Sequence, residues 1–346
     1  MKLKSIVFLG SLSMLACTPT ENVTDIKGEV VDNLTNQVVI PTYSDLHNAA
    51  KNLNAAVQKL EVGNEEALTE ARNAWSNARN FWEQTEAFLF GPVDFEEIDP
   101  ALDSWPVDLT AINGILSESN EITEEIIQSN PEARGFHLIE FLLWGENQNK
   151  KAVDFNAHEI QYLKVAAQDF EQNTQRLHAS WVEGDQPFKL HLLNAGQEPS
   201  NYDSTSDVIQ EFTEGVIGLL DEVANAKIAA PLNAEEGVAK PEEQESYFSD
   251  LTKRDLVNNL QSVSNIFYGD YNGNDGKGIS DLLASNNQEA LQAEIEANLK
   301  AAVEVVNALP ESFTEAIQNN REQVAEAQNK VQALHDSFVK VLDLKF

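Results

Sequence analysis

The feature that most limits how this chain can fold is a series of long segments in which apolar residues recur every three or four positions. Ala, Leu, Glu, Gln and Asn dominate these segments, and strand-like alternation of β-branched residues is scarce. With 16 Gly and 11 Pro in 346 residues, helix breaks are few. The sequence therefore predicts an all-α protein of two related up-down helical bundles, of the four-helix type, packed side by side.

Turn signals divide the predicted helices into two groups. Gly63 and Asn64 separate a helix at 43–62 from one at 65–90, so these two form an antiparallel pair. The best boundary is a segment rich in Gly, Pro and polar residues at 183–204. We assign 39–185 to the first bundle and 186–346 to the second. The other predicted helices are one between Pro131 and Gly145 and those at 154–181, 207–230, 253–268, 281–284, 288–309 and 314–344.

Residues 1–16 have the pattern of a lipoprotein signal peptide. Lys2 and Lys4 precede an apolar stretch too short to span a membrane, and the only cysteine, Cys17, follows it. We expect Cys17 to become the lipidated first residue, with a plain secretory signal as the alternative. Residues 17–38 then form a flexible tether. Because Thr18 stands where aspartate would signal retention, the predicted location is the bacterial cell envelope, as an outer-membrane lipoprotein facing the periplasm or the outside.

The strong negative charge limits the possible partners. Lys and Arg number 23 against 57 Asp and Glu, which gives a formal net charge of −34. Nucleic acid and anionic membrane surfaces repel such a protein, so we expect no nucleic-acid partner. Cations are the natural counterpart, although a charge spread over many helix faces can also serve solubility alone.

One short motif carries most of the chemical information. Gly135, His137 and Glu140 form a Gly-x-His-x-x-Glu pattern inside an otherwise apolar helix. A His and a Glu three residues apart project from the same helix face, so both can reach one metal ion or ligand. The alternative on spacing alone is a buried His that is hydrogen-bonded to Glu140 in a semi-polar core.

The context of this motif resembles the imelysin family of bacterial envelope proteins, whose hallmark is the same Gly-x-His-x-x-Glu pattern. The resemblance extends over about residues 40 to 340, with further landmarks in the same order. These are Trp75 and Arg79, the block Thr85-Glu86-Ala87-Phe88-Leu89-Phe90-Gly91, Trp105-Pro106-Val107-Asp108, Glu245-Ser246-Tyr247-Phe248-Ser249, Asn258-Asn259 and Gly278-Ile279-Ser280-Asp281.

The resemblance implies a role in iron biology, because imelysin-like proteins are associated with iron regulation and related domains occur in bacterial iron-uptake systems. We expect His137 and Glu140 to bind iron or another divalent metal near the junction of the bundles. Glu86 or Asp108 would add oxygen ligands, and such a mixed set suits first-row metals. An axial His could instead hold haem, with Trp105 in the pocket wall. An envelope iron transporter is then the expected partner.

A weak parallel between the two halves adds two candidate residues. Gly135-x-His137 in the first half corresponds to Gly278-x-Ser280-Asp281 in the second, as a duplication would produce. If the two sites are equivalent, Ser280 and Asp281 face His137 across a cleft between the bundles. The alternative is that Ser280 and Asp281 are ordinary first-turn residues of a helix.

Two other functions stay open. The family was first described as peptidases, but a helical zinc-peptidase motif has a second His, and position 141 is Phe. A metallopeptidase is therefore the weaker hypothesis, and we lean against enzymatic activity. The other possibility is a module that binds a non-metal ligand or a protein, in which His137 and Glu140 form a structural pair that locks the bundles together.

Overall fold

The computed structural model describes residues 26–118, 121–344 and 346. Every regular element in these ranges is helical, apart from one isolated antiparallel bridge between Tyr271 and Asn274, so the all-α prediction is confirmed. The α-helices are α1 (Ile26–Asn33), α2 (Ile40–Gln58), α3 (Glu65–Glu83), α4 (Pro92–Phe95), α5 (Asp99–Asp103), α6 (Leu109–Ser117), α7 (Glu124–Gln128), α8 (Gly135–Trp144), α9 (Ala157–Val182), α10 (Lys189–Leu193), α11 (Thr205–Glu222), α12 (Ala229–Leu232), α13 (Thr252–Tyr268), α14 (Ile279–Ser285), α15 (Glu289–Ala308), α16 (Phe313–Asn319) and α17 (Arg321–Leu342).

Short helical segments of other types connect these helices. Two π-helical segments, Leu34–Val39 and Val223–Ile228, extend α1 into α2 and α11 into α12. Four single 3₁₀ turns lie at Glu86–Phe88, Pro131–Ala133, Ala152–Asp154 and Pro241–Glu243.

The long helices form two four-helix bundles that share one hydrophobic core. In the first bundle α2 packs on α3 and α9, and α8 packs on α3 and α9. In the second, α17 packs on α11 and α15, and α13 packs on α11 and α15. The bundles meet where α3 contacts α13 and where the 86–88 turn contacts α11. At this second contact a Cβ at Gly215 would collide with the backbone of Ala87, so the small residue permits the close approach.

The prediction of a flexible tether over 17–38 is wrong for residues 26–38. These residues are helical, and Val30, Val31, Leu34 and Val38 are fully or almost fully buried. Helix α1 packs against α11 and α14, so this N-terminal helix lies on the second bundle, and the chain continues from it into the first bundle. The apolar residues have helical spacing, which the polar residues between them obscure in the sequence. Cys17 and the predicted signal peptide lie outside the described residues.

Helix ends follow local signals in most places. Asn64 caps α3 by accepting a hydrogen bond from the Ala67 amide, and Asn156 caps α9 in the same way. The helix predicted over 65–90 ends at Glu83, because the chain turns at Gln84 and Thr85 and continues into the 3₁₀ turn. Among the described residues, no helix is both long and apolar enough to cross a membrane.

Candidate metal site

The N-terminus of α8 is held against the C-terminus of α5 by an unusually close backbone approach. Gly135 has φ +75°, and a Cβ at this position would collide with the carbonyl oxygen of Leu102. Only glycine satisfies both the positive φ and the close contact. The approach brings Asp103, the last residue of α5, next to His137 in the first turn of α8.

The His137 side chain is buried between two carboxylates. Its Nε2 lies 3.1 Å from Oδ1 of Asp103, and its Nδ1 lies 3.4 Å from Oε2 of Glu140. Nε2 nevertheless makes no hydrogen bond of acceptable geometry with any described residue. Burial lowers the pKa of His137, but the two neighbouring carboxylates outweigh burial and raise this pKa to about 9. The imidazole must therefore lose a proton before it binds a metal ion.

Glu140 links α8 to the segment between the Pro241–Glu243 turn and α13. Its Oε1 accepts hydrogen bonds from the backbone N–H and the hydroxyl of Ser249, at 2.8 and 2.6 Å. Its other oxygen faces Nδ1 of His137. Glu140 is thus placed to orient the imidazole, in the manner of the carboxylates that support metal-bound histidines, and Nε2 points away from it.

Arg79 on α3 joins three carboxylates from both halves of the chain. Its guanidinium pairs with Asp103, with Glu83 at 2.5 Å and with Glu245 at 2.7 Å. Trp82 adds a hydrogen bond from its indole N–H to the other oxygen of Asp103, at 2.6 Å. Burial opposes ionisation of Asp103, but the Arg79 charge outweighs burial and holds the pKa of Asp103 far below its ordinary value. Asp103 is therefore ionised at neutral pH.

Lys227 is the second buried cation of the cluster. It lies in the π-helical segment after α11, and its ammonium is 2.6 Å from Glu86, 3.0 Å from Glu245 and 3.4 Å from Glu83. Asn259 on α13 donates to Glu83 and Glu86, at 2.6 and 2.9 Å. Burial and the neighbouring Glu83 raise the pKa of Glu86 well above its ordinary value, although Lys227 acts in the opposite direction.

Two overlapping sets of side chains have the spacing of metal ligands. Ligand atoms of Asp103, His137 and Glu245 lie within 4.8 Å of one another, and so do those of Glu83, Glu86, Asp103 and Glu245. One imidazole nitrogen with carboxylate oxygens is a donor set that suits iron, zinc or manganese. The buried Nε2 of His137 supports this fit, because it faces the Asp103 carboxylate without making a well-formed hydrogen bond, which is rare for a buried ring nitrogen.

Two cavities give access to the cluster. Each measures about 270 Å³, and Trp105 and Glu245 line both of them. Glu86, Asp103 and Lys227 line one cavity, and His137 lines the other together with Tyr247 and Phe248. Trp105 itself is 43% exposed, so it stands between the two cavities at the protein surface.

The structure brings together some of the residues predicted from the sequence and separates others. Glu86 and Trp105 join His137 and Glu140 at the site. Asp108 does not, because its carboxylate caps α6 through the amides of Thr110 and Ala111, so its prediction as a metal ligand is wrong on this geometry.

The pair predicted in the second half also lies elsewhere. Ser280 and Asp281 line a different surface pocket, which shares no residue with the two cavities around Trp105. Asp281 receives hydrogen bonds from the side chain of Lys277 and the amide of Gly278. The structure therefore does not place this pair opposite His137; both are first-turn residues of α14.

Asp103, Glu245, Arg79, Glu83 and Lys227 belong to the cluster without having been predicted as site residues. Arg79 and Glu245 do stand within the family landmarks of the sequence, which was the available signal for them. Asp103 and Lys227 have no local pattern that marks them, since tertiary packing alone brings them to His137.

Two four-helix bundles with a buried histidine and carboxylate cluster at their junction define an all-α protein with a candidate metal centre of the Gly-x-His-x-x-Glu type. The imelysin family model matches residues 39–341, and the chain belongs to the imelysin family.

The known proteins similar to this chain include two that are called iron-regulated and one that is called imelysin-like. "Iron-regulated protein A" of Synechococcus elongatus is 30% identical over 327 residues, which cover 93% of this chain and 87% of that protein. A solved structure of a putative iron-regulated protein A precursor from Parabacteroides distasonis has a TM-score of 0.82 at 24% identity and covers 95% of this chain and 96% of that one. An imelysin-like protein from Psychrobacter arcticum has a TM-score of 0.72 at 15% identity, with 90% and 92% covered.

Proposed function

We propose that this protein binds a divalent first-row metal ion, iron in the cell, through Asp103, His137 and Glu245, and that it takes part in iron uptake. One observation carries the proposal: the buried Nε2 of His137 has no hydrogen-bond partner among the described residues and faces a carboxylate of the same cluster. Two similar proteins are called iron-regulated, which supports iron as the metal.

The proposal gives each neighbouring side chain a distinct role. Glu140, held by Ser249, fixes the orientation of the His137 ring and acts as a supporting carboxylate rather than as a ligand. Arg79 keeps Asp103 ionised, and its ion pairs hold both Asp103 and Glu245 in place before metal arrives. A bound metal ion would supply a strong local charge that holds these carboxylates together.

A free metal ion suits the cluster better than haem does. Haem carries two propionates and needs positive side chains for them. Lys227 is the only Lys or Arg that lines the two cavities within the described part of the chain, and it is already paired with three carboxylates. The acidic walls therefore favour a cation.

Metal titration of the purified protein tests the proposal. Elemental analysis and calorimetric titration with ferrous iron and zinc should give stoichiometric binding to the wild type. His137→Ala should abolish it, and Glu140→Gln should weaken it by about 10- to 100-fold, as for other supporting carboxylates. His335→Ala is the matched control, because His335 lies on α17 and pairs with Asp336 outside the cluster. Absence of binding in a folded wild type would refute the proposal.

The same variants separate metal binding from a purely structural role. The hydrogen bonds between Glu140 and Ser249 tie α8 to the 245–249 segment, so the His137 and Glu140 pair could act only as a lock between elements. In that case His137→Ala lowers the melting temperature and no variant changes metal content. Under the metal-binding proposal, addition of metal raises the melting temperature of the wild type but not that of His137→Ala.

We also propose that the protein works at the cell envelope as an outer-membrane lipoprotein anchored through Cys17, and that it delivers metal to an envelope transporter. The sequence pattern around Cys17 supports the anchor. Incorporation of labelled palmitate into the wild type, with loss of the label in Cys17→Ser, is the expected result. A soluble, unlabelled wild-type protein would contradict the anchor and leave the metal site unaffected.

A further inference from the structure

The two sets of candidate ligands at the bundle junction overlap. The Asp103, His137 and Glu245 set shares Asp103 and Glu245 with the set that adds Glu83 and Glu86. Two ligand sets that share carboxylates are typical of sites for two metal ions about 3.5–4 Å apart. On ligand spacing alone, the cluster has the donors for two ions.

A side-chain cation already occupies the second set. The ammonium of Lys227 lies 2.6 Å from Glu86, 3.0 Å from Glu245 and 3.4 Å from Glu83, which are three of the four members of that set. The ammonium donates hydrogen bonds to Glu83 and Glu86 and forms an ion pair with Glu245. The side chain of Lys227 is only 4% exposed, so these carboxylates, rather than bulk water, are its main partners.

The fold fixes Lys227 in this position. The π-helical segment Val223–Ile228 carries it on the second bundle, whereas Glu83 and Glu86 come from the end of α3 and the following turn in the first. Val223, Ala224 and Ile228 of the same segment are buried in the core, so the backbone around Lys227 is anchored. Withdrawal of the ammonium would leave the buried Glu86 without its cation and Glu83 and Glu245 with Arg79 alone, which is unfavourable.

We propose that Lys227 determines the metal stoichiometry: its ammonium takes the place of a second metal ion, so the cluster binds one divalent ion at Asp103, His137 and Glu245. This inference rests on the proposed function. It assigns Lys227 a positioning role, and it makes the Glu83, Glu86, Asp103 and Glu245 set available to metal only when the charge of residue 227 is removed.

Manganese titration of the purified full chain tests this role, because Mn²⁺ can be counted by elemental analysis and a magnetically coupled pair differs from a single ion by electron paramagnetic resonance. Lys227→Met removes the charge and keeps the length of the side chain. We expect one Mn²⁺ per wild-type chain and two, magnetically coupled, per Lys227→Met chain. Lys253→Met is the matched control and should bind one, because Lys253 is buried on α13 but pairs with Glu311 outside the cluster.

The possible results are distinguishable. The role of Lys227 is overturned if a folded Lys227→Met protein binds one ion or none, or if the wild type binds two. The proposed function still stands in these cases as long as the wild type binds metal. No ion in the wild type or in any variant overturns both. If Lys227→Met does not fold, Lys227→Gln, which can still donate hydrogen bonds to Glu86, is measured in its place with the same expectation of two ions.

Discussion

Removal of the Arg79 charge should change stability and metal affinity in opposite directions. In Arg79→Met, three buried carboxylates lose their shared guanidinium. Removing one partner of a buried ion pair costs about 3–5 kcal/mol, so the metal-free protein should be destabilised by that amount. The guanidinium also repels a cation that binds to Asp103 and Glu245, and its removal should therefore strengthen metal binding.

The size of the gain follows from simple electrostatics. A unit charge and a divalent ion about 5 Å apart repel each other by about 6–7 kcal/mol at an effective dielectric constant of 20. Because the carboxylates relax when Arg79 is removed, only a part of this repulsion energy should appear as a gain in metal affinity. We expect Arg79→Met to bind metal roughly 10- to 100-fold more tightly than the wild type. Arg79→Lys keeps the charge and should bind metal much as the wild type does.

Urea denaturation in the presence of chelator measures the loss of stability, and calorimetric titration with zinc measures affinity. Arg134→Met is the matched control, since Arg134 forms a buried ion pair with Asp169, at 2.7 Å, away from the cluster. It should lose a similar amount of stability with no gain in affinity. Unchanged or weaker zinc binding by a folded Arg79→Met protein would refute the electrostatic reasoning.

Burial and the nearby Asp103 and Glu222 raise the pKa of Asp99 to about 7. Ionisation of Asp99 therefore destabilises the folded state progressively from about pH 4 to pH 7, and the full loss of stability is reached above pH 7. Between pH 5 and pH 8, the free energy of unfolding of Asp99→Asn should rise by about 1–2 kcal/mol relative to the wild type, after allowance for the partial exposure of Asp99. Urea denaturation with chelator measures this difference, and a difference independent of pH would contradict the raised pKa. Gly135→Ala should lower stability by about 3 kcal/mol or more, because of the positive φ and the clash with Leu102. Gly114→Ala, in open space on α6, should raise stability by about 0.5–1 kcal/mol. Equal effects of the two substitutions in thermal melts would contradict the close approach at Gly135. Ser249→Ala removes the hydroxyl donor to Glu140 and keeps the amide donor. It should lower stability by about 1–2 kcal/mol and weaken zinc binding several-fold, as measured by titration. Unchanged zinc affinity would count against the orienting role of Glu140.

Helical periodicity and turn residues predict the class of this fold well, because both are local properties. The pattern between Pro131 and Gly145 predicts a helix, and α8 runs from Gly135 to Trp144. Periodicity fails where polar residues interrupt a short apolar pattern, as in α1, and where a helix-favouring sequence turns for tertiary reasons, as after Glu83.

The site is predictable only in part, for the same physical reason. His137 and Glu140 share a helix face, so their spacing brings them together whatever the tertiary structure. Asp103 reaches His137 only through the contact between α5 and α8, and Lys227 only through the contact between bundles. Asp108 has the right chemistry for a ligand, but its carboxylate is used as a helix cap, which spacing in the sequence does not reveal.

The division of the cluster between the bundles has a consequence for how the protein unfolds. Asp103 and His137 belong to the first bundle, and Glu245 precedes the second bundle's α13, so neither bundle alone holds the complete donor set. A metal ion at this seam acts as a removable cross-link: at 100 times its dissociation constant it would stabilise the joined bundles by about 2.7 kcal/mol relative to the separated ones. The metal supply would then determine how much of the protein stays folded, as well as how much metal it binds.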